Sequence, residues 1–173
     1  MLVRCFIASP IPIDGEIYSL LKQVSMFPSL RVPNTENLHL TYLFLGEIDE
    51  KKAVDISESI IKPALKRVES GFSRITVFPD ASRPRVLVLL LHNPEIIGIY
   101  RSISEILPQF ASGSKKFLPH VTIGRFGKNA VMPDINKLKI PEKKVLIARI
   151  CLYKSTLTES GPVYKDIACN QLI

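Results

Sequence analysis

No apolar run in this 173-residue sequence approaches the roughly 18 residues that a membrane-spanning helix needs. The first ten residues hold only a short apolar stretch after Arg4 and no small-residue cleavage site, so we expect no secretory signal. The 8 glycines and 13 prolines follow no repeat, which excludes collagen-like and low-complexity chains. Hydrophobic residues make up 46% and charged residues 23%, which excludes intrinsic disorder. We therefore predict a soluble, cytoplasmic protein with a single core.

Cysteine is also scarce. The three cysteines, Cys5, Cys151 and Cys169, have no C-x-x-C spacing, and each has apolar neighbours in the sequence. This pattern is typical of buried thiols in a reducing compartment rather than of a disulfide framework or a zinc site. We expect all three cysteines to be free thiols.

Acidic residues are fewer than basic ones, 16 against 23, which gives a net charge of +7. An excess of this size makes a polyanionic partner such as nucleic acid plausible, because each neutralised phosphate releases counterions. A surface charged only for solubility is the alternative. Charge by itself does not decide between them.

The apolar pattern predicts an α+β protein built from two similar halves. Strands and helices are mixed without a regular βαβ repeat. Three amphipathic helices are expected, one after the N-cap Asp14, one over Glu50–Val68 that Pro63 kinks or breaks, and one that starts at Pro94. Short apolar runs between turn residues predict the strands Val3–Ala8, Leu38–Leu45, Gly71–Phe78, Arg85–Leu91, Pro119–Gly124, Val145–Tyr153 and Val163–Ala168.

Two of the three histidines open the same four-residue pattern, His-apolar-Thr-apolar, at His39 and at His120. Threonine occurs only 6 times, so two such matches among three histidines have a chance of roughly 0.4% on this composition. The motifs are 81 residues apart, close to half of the chain, as a duplicated lobe would give. The third histidine, His92, has no threonine two positions on and is interpreted as a loop residue.

Strand geometry explains the spacing within each motif. Residues i and i+2 of a strand point to the same face, so His39 shares a face with Thr41, and His120 shares one with Thr122. In the first motif Leu40, Tyr42 and Phe44 are expected on the opposite face. Each pair combines a titratable imidazole with a hydroxyl that can bind a phosphoryl oxygen. A single histidine of this kind is usually a hydrogen-bonded core residue, but the duplication favours a catalytic pair.

With these motifs the chain resembles the two-histidine (2H) phosphoesterase superfamily, and within it the LigT-like RNA 2′,3′-cyclic phosphodiesterases, formerly called 2′-5′ RNA ligases. The resemblance extends over essentially the whole chain, through the segments RCFIAS, ENLHLTYLFLGEI, FPDASRPRVLVL, LPHVTIGRF and LYKSTLTESGPVYKDIA. One departure is the run Leu87–Leu91, where family members often carry an aromatic residue. This departure weakens any expectation of base stacking on that strand.

The resemblance implies one domain over residues 1–173, made of two interleaved lobes with two antiparallel sheets around a cleft and helices outside. It also implies hydrolysis of RNA 2′,3′-cyclic phosphate ends to 2′-phosphomonoesters without a metal or other cofactor. By the same resemblance His39 is the proton donor, His120 is the proton acceptor, and Thr41 and Thr122 bind the non-bridging oxygens. The pseudo-symmetric motifs do not themselves say which histidine is the acid.

Three further residues are candidates for substrate binding. Arg125 matches a family arginine that contacts phosphate, although its odd offset from His120 puts it on the wrong strand face unless Gly124 permits a bulge. Arg85 and Tyr164 lie in family-like segments and could equally be structural. Lys115 and Lys116 precede the second motif, and an ordinary charged loop is the simpler interpretation there.

Alternative functions remain open from the sequence. One is another 2H activity, either 2′-5′ joining of RNA ends or the opening of a different cyclic phosphate. A second is a non-catalytic RNA-binding module, which the intact histidine pair argues against. A third is a metallohydrolase, but no H-x-x-x-H or carboxylate–histidine cluster is present. RNA ends that bear a cyclic phosphate are the expected partner, and we expect a monomer without an obligate protein partner.

Overall fold

The computed structural model describes residues 1–111 and 116–173. Within these ranges it contains nine β-strands, three α-helices and short 3₁₀ turns. The strands are β1 (Leu2–Pro10), β2 (Leu30–Arg31), β3 (His39–Asp49), β4 (Val68–Phe78), β5 (Val86–His92), β6 (His120–Phe126), β7 (Val145–Ile147), β8 (Arg149–Thr158) and β9 (Gly161–Gln171). The helices are α1 (Gly15–Ser25), α2 (Glu50–Ile61) and α3 (Pro94–Ile106).

The helices begin where the capping residues indicate. The Asp14 carboxylate accepts hydrogen bonds from the backbone N–H groups of Glu16 and Ile17, at 3.0 and 2.9 Å. Asn93 caps α3 in the same way, and Pro94 occupies its first turn. The predicted apolar stripe of α1 is confirmed, since its members Ile17, Leu20, Leu21 and Val24 are all buried.

Several boundaries differ from the sequence prediction. Helix α2 ends at Ile61, before Pro63, and Val68 opens β4 instead of closing the helix. The predicted strand over Val145–Tyr153 is two strands, because β7 pairs with β4 whereas β8 pairs with β1. His92 is not a loop residue but the last residue of β5, where it pairs with Gly71.

The strands form one curved antiparallel sheet in the order β7-β4-β5-β6-β3-β1-β8-β9, and β2 pairs with β6 outside this order. The α+β prediction is confirmed. The two sheets that were expected are the two halves of this sheet, joined between β3 and β6 by the single pair Leu40–Val121. One half contains β1, β3, β8 and β9, and the other contains β2 and β4 to β7, so the chain passes repeatedly between them.

The helices pack against the sheet and close the apolar core. Helix α1 lies against β2 and β6, α2 lies mainly against β9, and α3 contacts β3. Leu40 and Val121, at the junction of the two halves, are buried at 0% and 2% exposure. The junction is therefore held by apolar burial on its core side. Among the described residues no helix combines the length and apolar character that a membrane crossing requires.

The cysteine prediction is wrong for two of the three residues. Cys151 and Cys169 form a disulfide, because they lie directly opposite one another in the antiparallel ladder between β8 and β9. Their separation of 18 residues carries no recognisable disulfide signal in the sequence. Cys5 is a buried free thiol as expected, and burial raises its pKa. Cysteine usage therefore no longer supports a reducing compartment.

Candidate active site

The first motif begins a strand at the edge of an open cavity. His39 is the first residue of β3, and both His39 and Thr41 are half-buried. The Nδ1 atom of His39 lies 2.5 Å from the carbonyl oxygen of Asn37. Because a carbonyl only accepts, Nδ1 carries a proton and donates it, which leaves Nε2 as the ring atom available for proton transfer. The Asn37 side chain in turn donates to the Pro162 carbonyl, 2.8 Å away.

The second motif repeats this arrangement. His120 is the first residue of β6, and its Nδ1 donates to the Leu118 carbonyl at 2.7 Å. In both motifs the acceptor is thus the backbone of the residue two positions before the histidine. The two rings are fixed in the same tautomer by equivalent bonds.

The Leu40–Val121 pair brings the two motifs together. The antiparallel register of this single pair puts His39 on the side of Thr122 and Thr41 on the side of His120 across the junction. Because Leu40 and Val121 point into the core, the two histidines and two threonines share the other face. The four residues predicted to be catalytic therefore form one cluster.

A bulge follows the threonine of each motif. Thr41 pairs with Ala8 and Leu43 with Ile7, so Tyr42 is the extra residue in β3. Thr122 pairs with Val88 and Gly124 with Leu87, so the residue between them is the extra one in β6. Each bulge reverses the alternation of the residues that come after it.

The bulge in β6 explains how Arg125 reaches the site despite its odd offset. Ile123 and Gly124 are both buried, and Arg125 then lies on the cleft side, where it lines the cavity. A Cβ atom on Gly124 would come within 3.1 Å of Leu30 and 3.2 Å of Val24, so a residue without a side chain suits this close approach to α1. The irregularity expected near Gly124 is present.

The bulge in β3 overturns one prediction. Phe44 was expected on the same face as Leu40, opposite the motif histidine, but the extra residue moves it to the other side. Its ring lies 6.4 Å from that of Phe6, and its side chain is 73% exposed. Alternation counted from His39 fails here because sequence alone does not reveal the bulge.

The cavity beside His39 has a volume of about 600 Å³. Of the predicted site residues it is lined by His39, Thr122, Arg125 and Tyr164. Thr41 and His120 are not part of its wall, although the pairing of β3 with β6 places them next to it. Arg85 lies in a neighbouring cavity that shares Arg125 with this one. Lys115 lies outside the described residues, and Lys116 is an exposed residue in neither a helix nor a strand.

Burial lowers the pKa of both histidines, although each carbonyl bond opposes this effect. The pKa of His39 is lowered further by the positive charges of Arg125 and of a protonated His120. The two groups are therefore close enough for their titrations to be coupled. Both imidazoles are held mainly neutral near pH 7.

The histidine rings pack against Tyr164 and against two aromatic rings that the sequence did not single out, Phe6 and Phe78. The ring of His39 lies 5.0 Å from that of Phe6 and 5.2 Å from that of Tyr164, the latter edge-on. His120 has one such neighbour, Phe78, also edge-on at 5.0 Å. Phe6 and Phe78 lie in segments that carry the resemblance, RCFIAS and FPDASRPRVLVL. No periodicity distinguishes Phe6 and Phe78 from core residues. The hydrogen bonds from the histidines to the backbone carbonyls of Asn37 and Leu118 cannot be predicted from a sequence pattern, because every residue has a carbonyl.

Comparison with known proteins agrees with this geometry. Residues 8–88 match the family model described as LigT like Phosphoesterase. The RNA 2′,3′-cyclic phosphodiesterase of Methanocaldococcus jannaschii is 32% identical, with 95% of this chain and 98% of that protein covered. The protein of the same name from Archaeoglobus fulgidus is 30% identical, with the same coverage of 95% and 98%.

Solved structures show the same fold. A protein of Thermus thermophilus superposes with a TM-score of 0.82 at 22% identity, over 98% of this chain and 97% of that one. Escherichia coli LigT complexed with 3′-AMP gives a TM-score of 0.75 at 21% identity, over 99% of both chains. The match to the family model and the two archaeal relatives, each at least 30% identical over 95% of this chain, show that the chain belongs to the LigT-like phosphoesterase family.

Proposed function

We propose that this protein hydrolyses RNA 2′,3′-cyclic phosphate ends to 2′-phosphomonoesters by acid–base catalysis between His39 and His120, without a metal. The observation that carries the proposal is the Leu40–Val121 pair, which sets both histidines and both motif threonines on one face. The names of the two archaeal relatives, RNA 2′,3′-cyclic phosphodiesterases, support the same substrate. The excess of seven positive charges suits a polyanion.

In this reaction a water molecule attacks the phosphorus and the bond from phosphorus to the 3′-oxygen breaks. One imidazole takes a proton from the water, and the other, initially protonated, gives its proton to the departing 3′-oxygen. The product has a 2′-phosphate and a free 3′-hydroxyl. Both transfers run through Nε2, because Nδ1 of each ring is committed to a backbone carbonyl.

We assign the acid to His39 and the base to His120, as the family resemblance implies. A low pKa makes His39 a ready proton donor once it is protonated. Arg125 opposes that protonation, whereas a bound phosphodiester anion would favour it. His120 has the lowered pKa that a base neutral at the working pH needs.

Thr122, Thr41 and Arg125 bind the non-bridging oxygens, where negative charge builds up in the transition state. Thr122 and Arg125 line the cavity next to His39, and a guanidinium can bind two phosphate oxygens at once. Tyr164 contacts the His39 ring edge-on and lines the same cavity, where it contributes a wall for the terminal nucleoside.

The direct test is incubation of the protein with an oligonucleotide that ends in a 2′,3′-cyclic phosphate, followed by determination of the phosphate position. A 2′-phosphate with a free 3′-hydroxyl supports the proposal, and a 3′-phosphate contradicts it. The acid is identified with a substrate whose 3′-oxygen is replaced by sulfur, because a thiolate leaves without protonation. This substrate should restore turnover to His39→Ala but not to His120→Ala, and the reverse pattern would exchange the two roles.

We also propose that the protein acts as a monomer in the cytoplasm, where it meets RNA ends without an obligate protein partner. The absence of an apolar spanning run in the sequence is compatible with this location. Sedimentation of the purified protein and fractionation of cells test the two statements separately.

A further inference from the structure

A second cavity adjoins the histidine cavity on the side of β5 and β6. It has a volume of about 840 Å³, larger than the first. The two cavities share a wall made of four consecutive residues, Arg125, Phe126, Gly127 and Lys128. A chain bound in the first cavity can therefore continue over this wall into the second. We call the second cavity the Arg83 pocket.

The Arg83 pocket is strongly basic. Its lining includes Arg83, Arg85, Arg125 and Lys128 and contains no acidic side chain. None of these four cations forms an ion pair with another residue in the described ranges 1–111 and 116–173. The nearby Asp80 carboxylate is occupied by the backbone N–H groups of Ser82 and Arg83 and by the Ser82 hydroxyl. The Arg83 charge is the smallest of the causes that lower the pKa of Asp80, after the hydrogen bonds from Ser82 and Arg83. With no direct ion pair to hold them within the described ranges, the four cationic groups can still bind an anion.

The same pocket has an apolar wall. Phe78, Pro79, Pro84 and Phe126 line it beside the arginines. Arg85 is fixed between two strands, since its N–H donates to the Phe78 carbonyl at 2.8 Å and its carbonyl accepts from Phe126 at 3.0 Å. A flat apolar surface next to exposed guanidinium groups suits a nucleotide, whose base stacks while its phosphate binds the cations.

The cavity on the other flank of the site has the opposite character. It has a volume of about 280 Å³, is lined by Glu36 and Asp166 together with Arg149, and shares Tyr164 with the histidine cavity. Two carboxylates repel a phosphate backbone. Of the two directions in which a bound chain can leave the histidines, the charges favour the Arg83 pocket.

We propose that the Arg83 pocket binds the nucleotide on the 5′ side of the terminal cyclic phosphate, with Arg83 and Arg85 on the linking phosphodiester. The proposal rests on the proposed function, because it takes the cyclic phosphate to lie beside His39. It names the substrate class, since the protein then selects oligonucleotide ends over cyclic mononucleotides. The selectivity comes from contacts remote from the reacting phosphorus.

The test compares kcat/KM for 2′,3′-cyclic AMP with that for a tetranucleotide ending in a 2′,3′-cyclic phosphate. In the wild type the tetranucleotide should be the better substrate, with a rate constant that falls as salt concentration rises. In Arg83→Gln/Arg85→Gln the ratio of tetranucleotide to mononucleotide should fall roughly tenfold, because charge-assisted bonds to one phosphate are lost. Arg101→Gln is the matched control, an exposed arginine on α3 that lines none of the three cavities.

A tetranucleotide with a neutral methylphosphonate at the last linkage tests whether Arg83 and Arg85 bind the phosphate of that linkage. This change should lower kcat/KM in the wild type by about the same factor and have little further effect in the double variant. Additive losses, or an unchanged ratio in the double variant, would overturn the proposal while leaving the proposed function intact. If the wild type opens neither substrate, the proposed function fails. The pocket is then judged by fluorescence anisotropy of the same tetranucleotides, which the double variant should bind more weakly than Arg101→Gln.

Discussion

The two histidine motifs are nearly equivalent in backbone structure and different in surroundings. Each histidine opens a strand, donates Nδ1–H to the carbonyl two residues before it, and precedes a threonine that is followed by a bulge. Yet the ring of His39 packs against Phe6 and Tyr164, which also contact each other, and is close to Arg125, whereas His120 packs edge-on against Phe78. A symmetric scaffold therefore carries an asymmetric pair of proton-transfer groups.

The two motifs also differ in the residue five positions after each histidine. After His120 this position is Arg125, and after His39 it is Phe44. The bulge in each strand turns both residues away from the core, and both are exposed. One half of the sheet thus offers the cleft a guanidinium, whereas the exposed ring of Phe44 in the other half lines none of the three cavities. The positive charge that adds to burial in lowering the pKa of His39 therefore comes from one sheet half and has no counterpart at position 44.

The largest expected effect is the loss of either histidine. His39→Ala and His120→Ala should each lower kcat by roughly 10² to 10⁴, because one of two proton transfers is lost. His92→Ala is the matched control, since the third histidine lies at the exposed end of β5, outside the cavities. Single-turnover rates with a cyclic-phosphate oligonucleotide measure the effect, and near-normal turnover in one variant would contradict paired catalysis.

The next largest effect distinguishes Arg125 from Phe44, the residues five positions after the two histidines. Arg125→Gln should lower kcat/KM about 10²-fold, comparable to the loss of one charge-stabilising donor in the transition state. Phe44→Ala should change it less than about threefold, because the exposed Phe44 ring lines none of the three cavities. Steady-state kinetics on a cyclic mononucleotide make the comparison. Equal losses at the two positions would show that the sheet halves contribute alike.

The pH profile of kcat/KM should be a bell displaced to the acidic side. One histidine must start neutral and the other protonated, and burial lowers the pKa of both. The alkaline limb should therefore lie below the ordinary histidine value of about 6.5. Initial rates between about pH 4 and 9, with and without EDTA on metal-stripped protein, measure the limbs. If EDTA abolished the activity and one particular metal restored it, catalysis would depend on a metal site and not on the histidine pair.

A smaller effect of the same pKa changes concerns stability. A histidine whose folded pKa is lowered is neutral in the fold while the unfolded chain binds a proton below about 6.5, so the free energy of unfolding decreases as pH falls through this range. His39→Asn and His120→Asn should each lessen the fall in Tm between about pH 7 and 5, and His92→Asn is the control. A wild-type Tm that rises toward acidic pH would contradict the lowered pKa values.

Local patterns in the sequence predicted much of the site correctly. The shared face of His39 with Thr41 and of His120 with Thr122 follows from the two-residue period of a strand, which needs no knowledge of neighbours. The N-cap Asp14 and the first-turn proline Pro94 were also predictable, because both act within one turn of helix. The family resemblance supplied Arg125, and the glycine before it indicated the irregularity in the strand.

The sequence by itself determined the strand faces, the helix starts and the presence of a histidine pair, since each depends on residues a few positions apart. Tertiary structure decided that Leu40 meets Val121, that Cys151 faces Cys169, that Phe44 is turned outward, and that Arg85 lies in the Arg83 pocket rather than beside His39. These outcomes depend on which strands become neighbours and on where one strand carries an extra residue. Both are fixed by packing between segments distant in the chain, for which a local pattern holds no signal.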